Sequence, residues 1–169
     1  MSWFQAFAFT CNLRRYILGK LMKRRESFDY IIIETTGLAD PAPVAQTFFV
    51  DDELKEQLYL DAILTVADAK HLLPHLQEEK PEGVENECVE QIAFADKILL
   101  NKIDLVTDEE KATLVAKIKS INSRAKIIES QQSVVDMSEI IGIRAFDLDQ
   151  VVEMDEEFLN GEGRGRKQR

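Results

Sequence analysis

A chain of 169 residues is one domain's worth of polypeptide, long enough to bury a real core. Its 45% hydrophobic and 31% charged residues are an ordinary soluble, globular balance. The formal net charge of -10 argues against a general binder of nucleic acid or of an anionic membrane, which needs a positive footprint, and the longest apolar stretches are strand length, too short to span a bilayer.

The stretch up to Arg25 has no acidic residue and carries Arg14, Arg15, Lys20, Lys23, Arg24 and Arg25. A transit peptide has this composition, which would imply organellar import. The charges follow the apolar Trp3–Phe9 run, the wrong order for a secretory signal, and a basic amphipathic helix of the domain itself is the preferred reading. The cytoplasm is then the expected compartment. Asn12 to Arg25 is expected to be that helix, with Leu13, Ile17, Leu18 and Leu21 on its apolar face. The two cysteines, Cys11 and Cys88, are too few and too isolated for a disulfide framework or a Cys-x-x-Cys metal site.

Phe28–Ile33 has the pattern of a strand, broken after it by Gly37 and Pro41. Pro43–Val50 suits a short helix started by its proline. Asp61–Ala67 is a second buried strand, with Asp68 placed to cap a following helix. The glutamate-rich stretch from Glu78 to Glu90 contains Pro81 and Gly83 and suits an exposed loop leading into a helix through Cys88 and Ile92. Lys97–Leu100 is a third strand. Thr107, followed three residues later by Glu110, starts a capping-box helix to about Ile121, with Leu114, Ala116 and Ile118 inward. Ala125–Ile128 is a fourth, short strand. Strands alternating with helices predict an α/β fold, a mostly parallel sheet flanked by helices. The last nine residues, GEGRGRKQR, have the composition of a disordered basic tail.

Two strand ends carry the chemistry. Glu34 follows Ile31, Ile32 and Ile33, so a carboxylate closes a run suited to burial on both faces, where it is costly without water, a cation or a donor. A strand-end glutamate in solvent explains this equally well. Thr35, Thr36 and Gly37 favour a site, because glycine lets a backbone amide approach an anion and a carboxylate can order magnesium-bound water. The second end is NKID, Asn101 to Asp104, directly after KILL. A carboxylate at Asp104 can accept from N1–H and the exocyclic N2 of guanine, a donor pair adenine lacks. Asn101 can bridge to the base edge or pin a neighbouring loop, and the stem of Lys102 can lie over the purine face. A polar strand-to-helix turn would also fit four such residues; their place after a buried strand and downstream of ETTG favours the nucleotide. His71 and His75, four apart but separated by Pro74 and without a third ligand, are read as surface residues, and Asp68 as a cap.

FDYIIIETTGLADPAPVAQTF, from Phe28 to Phe48, resembles the Walker B and switch segment of CobW-family GTPases, relatives of the metallochaperones HypB and UreG. The resemblance covers about Asn12 to Leu159 and implies a P-loop NTPase-like fold. It implies Glu34 near Mg²⁺ and the attacking water, Gly37 donating its amide to a γ-phosphate, and Asn101, Lys102 and Asp104 binding the base of GTP or GDP. Ser130-Gln131 falls where the family's last base-contacting loop would lie. The implied partners are guanine nucleotide and a metalloprotein client or a parent-family protein, with zinc as the family's metal. Three parts of the family pattern do not occur: a G-x-x-x-x-G-K-[ST] phosphate loop with its strand, a Cys-x-Cys-Cys segment, and the second, C-terminal domain. The expectation is a partial nucleotide-binding domain over 12–160, between a non-family segment, 1–11, and the 161–169 tail. Such a fragment, truncated or alternatively spliced, would hydrolyse GTP weakly or not at all. Trp3–Phe9 could then fill part of the gap as a strand. A non-catalytic interaction remnant of the same family is the alternative.

Overall fold

The structure, a computed structural model, describes residues 17–35, 37, 42–50, 52–81 and 86–154. The expected strand at Trp3–Phe9, the position of Leu13 and the GEGRGRKQR tail lie outside the described residues. The chain divides into two compact units, one drawn from 1–35, 41–60 and 148–169, the other from 36–40 and 61–147.

In the first unit a helix (α1) runs through 17–22, followed by a 3-10 turn at Arg25–Ser27. Helices α2 (Ala42–Val50), α3 (Asp52–Gln57) and α7 (Leu148–Met154) belong to the same unit. Pro43 sits in the first turn of α2, where its missing N–H costs nothing. Leu18, Phe48 and Leu54 form a small core, edged by Leu21, Met22, Ile31 and Leu58. The inward stripe of α1 is therefore Leu18, Leu21 and Met22, spaced three and four apart, and Ile17 is displaced from it to 48% exposure, against expectation.

The expected strand at Phe28–Ile33 does not form: the segment joins no ladder among the described residues. Ile31 packs into the small core, while Tyr30, Ile32 and Ile33 are exposed. An isoleucine run marks a segment able to lie in a sheet, but only a neighbouring strand can satisfy its amides and carbonyls.

In the second unit three strands, β1 (Leu64–Asp68), β2 (Lys97–Asn101) and β3 (Lys126–Glu129), form a parallel sheet in the order β1-β2-β3. Parallel neighbours need crossovers. Helices α4 (Leu72–Leu76) and α5 (Glu87–Ala93) lie between β1 and β2, and α6 (Asp108–Ile121) lies between β2 and β3. All five residues of central β2 are buried. Ile92, Ile98, Leu100, Leu114 and Ile118 are the largest fully enclosed side chains, each worth roughly 1.5–3 kcal/mol of transfer from water.

The capping box that starts α6 is complete: Thr107 Oγ1 accepts from the Glu110 amide at 3.2 Å, and Glu110 Oε2 accepts from the Thr107 amide at 2.8 Å. Leu114 and Ile118 point inward as expected; Ala116, two residues from each and on the opposite side of a 3.6-residue turn, is exposed. At the end of α6, Asn122 is buried and its side chain makes five hydrogen bonds. Its Nδ2 donates to the carbonyls of Ile92, Ala93 and Ala95, and its Oδ1 accepts from the amides of Arg124 and Ala125.

β1 begins at Leu64 rather than Asp61 because Asp61 is committed elsewhere. Its carboxylate accepts from the amides of Gly142, Ile143 and Arg144 at 2.7, 3.2 and 2.7 Å, and its carbonyl from those of Ala145 and Phe146. Nearby chain is held by Glu139, which takes Lys126 Nζ at 2.8 Å and the largely buried Lys97 Nζ at 2.9 Å. Lys126 first, then Lys97, lowers the Glu139 carboxyl to about 2.

Candidate functional site

β1 and β2 end side by side, with Asp68 opposite Asn101 in the parallel register. The carboxyl ends of buried parallel strands are where an α/β sheet can present polar side chains to a ligand. Asn101, the last residue of β2, is only 8% exposed. Its Oδ1 accepts from the Ser133 amide at 2.9 Å and from the Ser130 hydroxyl at 3.3 Å, and its Nδ2 donates to Ser133 Oγ at 2.9 Å. Of the two roles open to this asparagine, the one the structure shows is pinning the neighbouring loop.

That loop follows β3 and is bent onto the end of β2. The Ser130 amide donates to the Leu100 carbonyl at 2.9 Å, and the Ile103 amide to the Ser130 carbonyl at 3.4 Å. Gln132 and Ser133 adopt left-handed backbone, with φ of 52° and 58°. Each such residue without glycine's freedom costs on the order of 1 kcal/mol, so the asparagine bonds offset a conformation the loop would otherwise leave. Ser130 thus lies where the base-contacting loop was expected, tied to Asn101, while Gln131 is exposed.

Lys102 is also left-handed, at φ 63° and ψ 34°. It turns the chain out of β2 into a 3-10 turn, Ile103–Leu105, closed by the Leu105 amide donating to the Lys102 carbonyl at 3.0 Å. The Lys102 ammonium donates to Asp68 Oδ2. The same carboxylate meets His71 Nδ1 at 3.1 Å and accepts from the amides of Lys70 and His71 at 2.9 and 3.3 Å. Partial burial opposes its charge, but the Lys102 ammonium, His71 and the Lys70 amide prevail and hold the carboxyl well below the usual range. Asp104 stands exposed in the 3-10 turn, and no hydrogen bond or ion pair among the described residues engages its carboxylate.

Asn101, Lys102 and Asp104 are therefore brought together, with Ser130 and Ser133 beside them. Glu34 belongs to the first unit and is exposed, in a segment after Ile33 without regular secondary structure. Gly37 groups with the second unit, where its carbonyl accepts from Gln91 Nε2 at 3.1 Å. The space beside its Cα is open to 4 Å, so its backbone is sterically approachable. Thr36 lies outside the described residues.

Asp68 was expected only as a cap, and Ser133 carried no expectation. Asp68 does bond the turn before α4, but the N-cap position is His71 and the aspartate's partner across the sheet is Lys102. The available signal was positional: polar residues that close two adjacent parallel strands meet. Ser133 carried no comparable signal. His75 is exposed, and among the described residues no three His, Cys, Asp or Glu side chains converge as a metal site. Burial, with Glu87 adding to it, pushes the Cys88 thiol up, away from the thiolate a metal would want.

A parallel sheet ending in a loop-pinning asparagine, a left-handed lysine and an unengaged aspartate defines an α/β domain of the nucleotide-binding kind. The family profile described as "CobW/HypB/UreG, nucleotide-binding domain" matches residues 11–129, and the chain belongs to this family. It is similar to zinc-regulated GTPase metalloprotein activator 1 of Schizosaccharomyces pombe, 42% identical over 130 residues, 76% of this chain and 30% of that protein. The zinc chaperone YjiA of Escherichia coli is 31% identical over 136 residues, 80% of this chain and 40% of that protein. The crystal structure of the Zn(II)-bound YjiA GTPase from E. coli superposes with a TM-score of 0.64 at 30% identity, over 78% of this chain and 39% of that one. The fold is thus the expected α/β, P-loop NTPase-like one. The chain spans about a third of the length of the zinc-regulated activators it matches.

Proposed function

We propose that this chain carries the guanine-reading part of a CobW-type GTP-binding domain, extending over 12–160 and serving a zinc metallochaperone function toward a metalloprotein client. The carrying observation is the division of labour in NKID. The Asn101 amide is engaged in holding the 130–133 loop, while the Asp104 carboxylate is exposed and unengaged beside it. That free acceptor fits guanine, whose N1–H and N2 donors need one carboxylate. Lys102 would cover a face of the base, and Ser130 would stand at its edge. In this reading Gly37 offers its amide to a phosphate and Glu34 orders water on Mg²⁺, which when bound neutralises phosphate charge. The 169 residues contain no G-x-x-x-x-G-K-[ST] string, so hydrolysis by this polypeptide alone is expected to be very weak or absent.

Titration of the pure protein with a fluorescent guanine nucleotide tests this. Asp104→Ala is expected to weaken binding by about 10²-fold, the loss of a charged acceptor's bonds, with adenine nucleotide binding poorly throughout. Equal affinity for adenine, or an unaltered Asp104→Ala titration, would sink the reading. The second reading, a non-catalytic interaction module, draws on the apolar surface of Tyr30, Ile32 and Ile33, exposed to 53, 79 and 42%. A folded protein that ignores millimolar guanine nucleotide would favour it.

A further inference from the structure

We propose that Asp68 is a positioning residue for the nucleotide site: from the end of β1 it anchors the Lys102 ammonium, so that the lysine stem stands as a fixed wall of the base pocket. This rests on the guanine reading above and adds to NKID a residue from a different strand.

The geometry supports it at each link. Asp68 and Asn101 are register partners, so the carboxylate sits one residue from Lys102 across the ladder. The left-handed backbone of Lys102 turns the chain there, and its ammonium reaches Asp68 Oδ2. The carboxylate is itself held, by the amides of Lys70 and His71 and by the His71 ring, so it is a rigid anchor rather than a second flexible group. A lysine side chain has many rotamers, and ordering it only when ligand arrives weakens binding. Anchored at both ends beforehand, its aliphatic stem presents apolar surface in one place.

Stability does not account for the arrangement. The side chains of Lys102 and Asp68 are 47% and 29% exposed, and pairs so open to water contribute little to folding. The left-handed turn at Lys102 is itself a local cost. A pair that adds little stability, at a strained turn between a buried asparagine and an unengaged aspartate, is best explained by what it holds in place.

The test uses the whole chain. Asp68→Asn keeps size and an acceptor but removes the charge; Asp68→Glu restores the charge; Lys102→Met keeps the stem without the ammonium. Asp68→Asn is expected to weaken fluorescent guanine nucleotide binding about 5- to 10-fold with an unchanged melt, the scale of ordering one long side chain. Lys102→Met should lose a similar factor, the double variant should lose no more than either single one, and Asp68→Glu should recover part of the affinity. The Lys102 ¹⁵Nζ resonance should shift in Asp68→Asn even without nucleotide, which checks that the pair exists in the free protein; affinity lost at an unchanged melt is the readout a merely structural role would not produce. If the wild type binds guanine nucleotide and Asp68→Asn binds as tightly, or if the two losses multiply, the inference is overturned alone. A wild type that binds no guanine nucleotide overturns the site reading first, and this inference with it. If Asp68→Asn melts early, Lys102→Met alone decides, with wild-type affinity refuting the proposal.

Discussion

Asn101→Ala should detach the loop after β3 before it unfolds anything else. The substitution removes one hydrogen bond from the Ser133 amide and two involving the hydroxyls of Ser130 and Ser133. Ser133 is exposed, so water recovers part of what it loses, and at about 1 kcal/mol per bond the net deficit is about 2 kcal/mol. The two left-handed residues, Gln132 and Ser133, then have less to hold them and relax outward. At 1.4 kcal/mol per factor of ten, the Ser133 amide should exchange with solvent roughly 30-fold faster. Ile118, fully buried in α6, should change by a much smaller factor. Asn101→Asp keeps the acceptor for the Ser133 amide and loses the donor, so it should fall between the two. Hydrogen exchange read by NMR at single amides measures all three. A Ser133 amide as protected in Asn101→Ala as in the wild type would refute the view that this side chain holds the loop.

Asn122→Ala removes five hydrogen bonds from a buried position joining α5, α6 and β3. It should cost about 3 kcal/mol and lower the melting temperature by roughly 6–12 °C, read by circular dichroism. Burial, opposed by the Ile63 amide and reinforced by the charge of Asp147, raises the Asp96 carboxyl from 3.8 to about 6. The folded state therefore holds this proton more tightly than the unfolded one, so the group's penalty is absent below pH 4 and grows as pH rises towards 6. Asp96→Asn should gain about 1.5 kcal/mol on the wild type at pH 7, allowing for partial solvent access, and lose that advantage by pH 4 in urea melts. A gap between the two proteins that does not vary with pH would contradict the assignment.

The second unit was more legible in sequence than the first, and the reason is local. KILLN has one reading because every position of a central strand is covered, and Thr107 with Glu110 specifies a helix start through bonds between residues only three apart. Phe28–Ile33 has an equally good strand pattern, yet its ladder depends on a partner that its own residues do not specify. Ala116 was misplaced because it lies between two inward residues in sequence while facing away from both in the helix. Asn122 and Ser133 were invisible for a different reason. A polar residue at a helix end or in a loop reads as surface, and only the closure of distant segments around it shows that it is bonded. NKID lay between these cases. Its residue types pointed to the base, but the tie of Asn101 to Ser133 and of Lys102 to Asp68 required the sheet.

Those ties bear on how binding and hydrolysis divide. Among the described residues, every bond that shapes NKID comes from the 61–147 unit: the ladder from β1 to β3, the 130–133 loop, and Asp68 at the end of β1. Among those residues, none comes from the segment bearing Glu34. On the proposed reading, a base pocket held in this way keeps its form whatever the phosphate-facing residues do, since the left-handed residues of the 130–133 loop are held locally by Asn101. Affinity for the base can then survive where turnover does not, because hydrolysis needs phosphate, magnesium and water held together while guanine discrimination needs one well-placed carboxylate. Loss of the Asp104 carboxylate should accordingly remove discrimination between guanine and adenine, and loss of Glu34 should leave that discrimination intact.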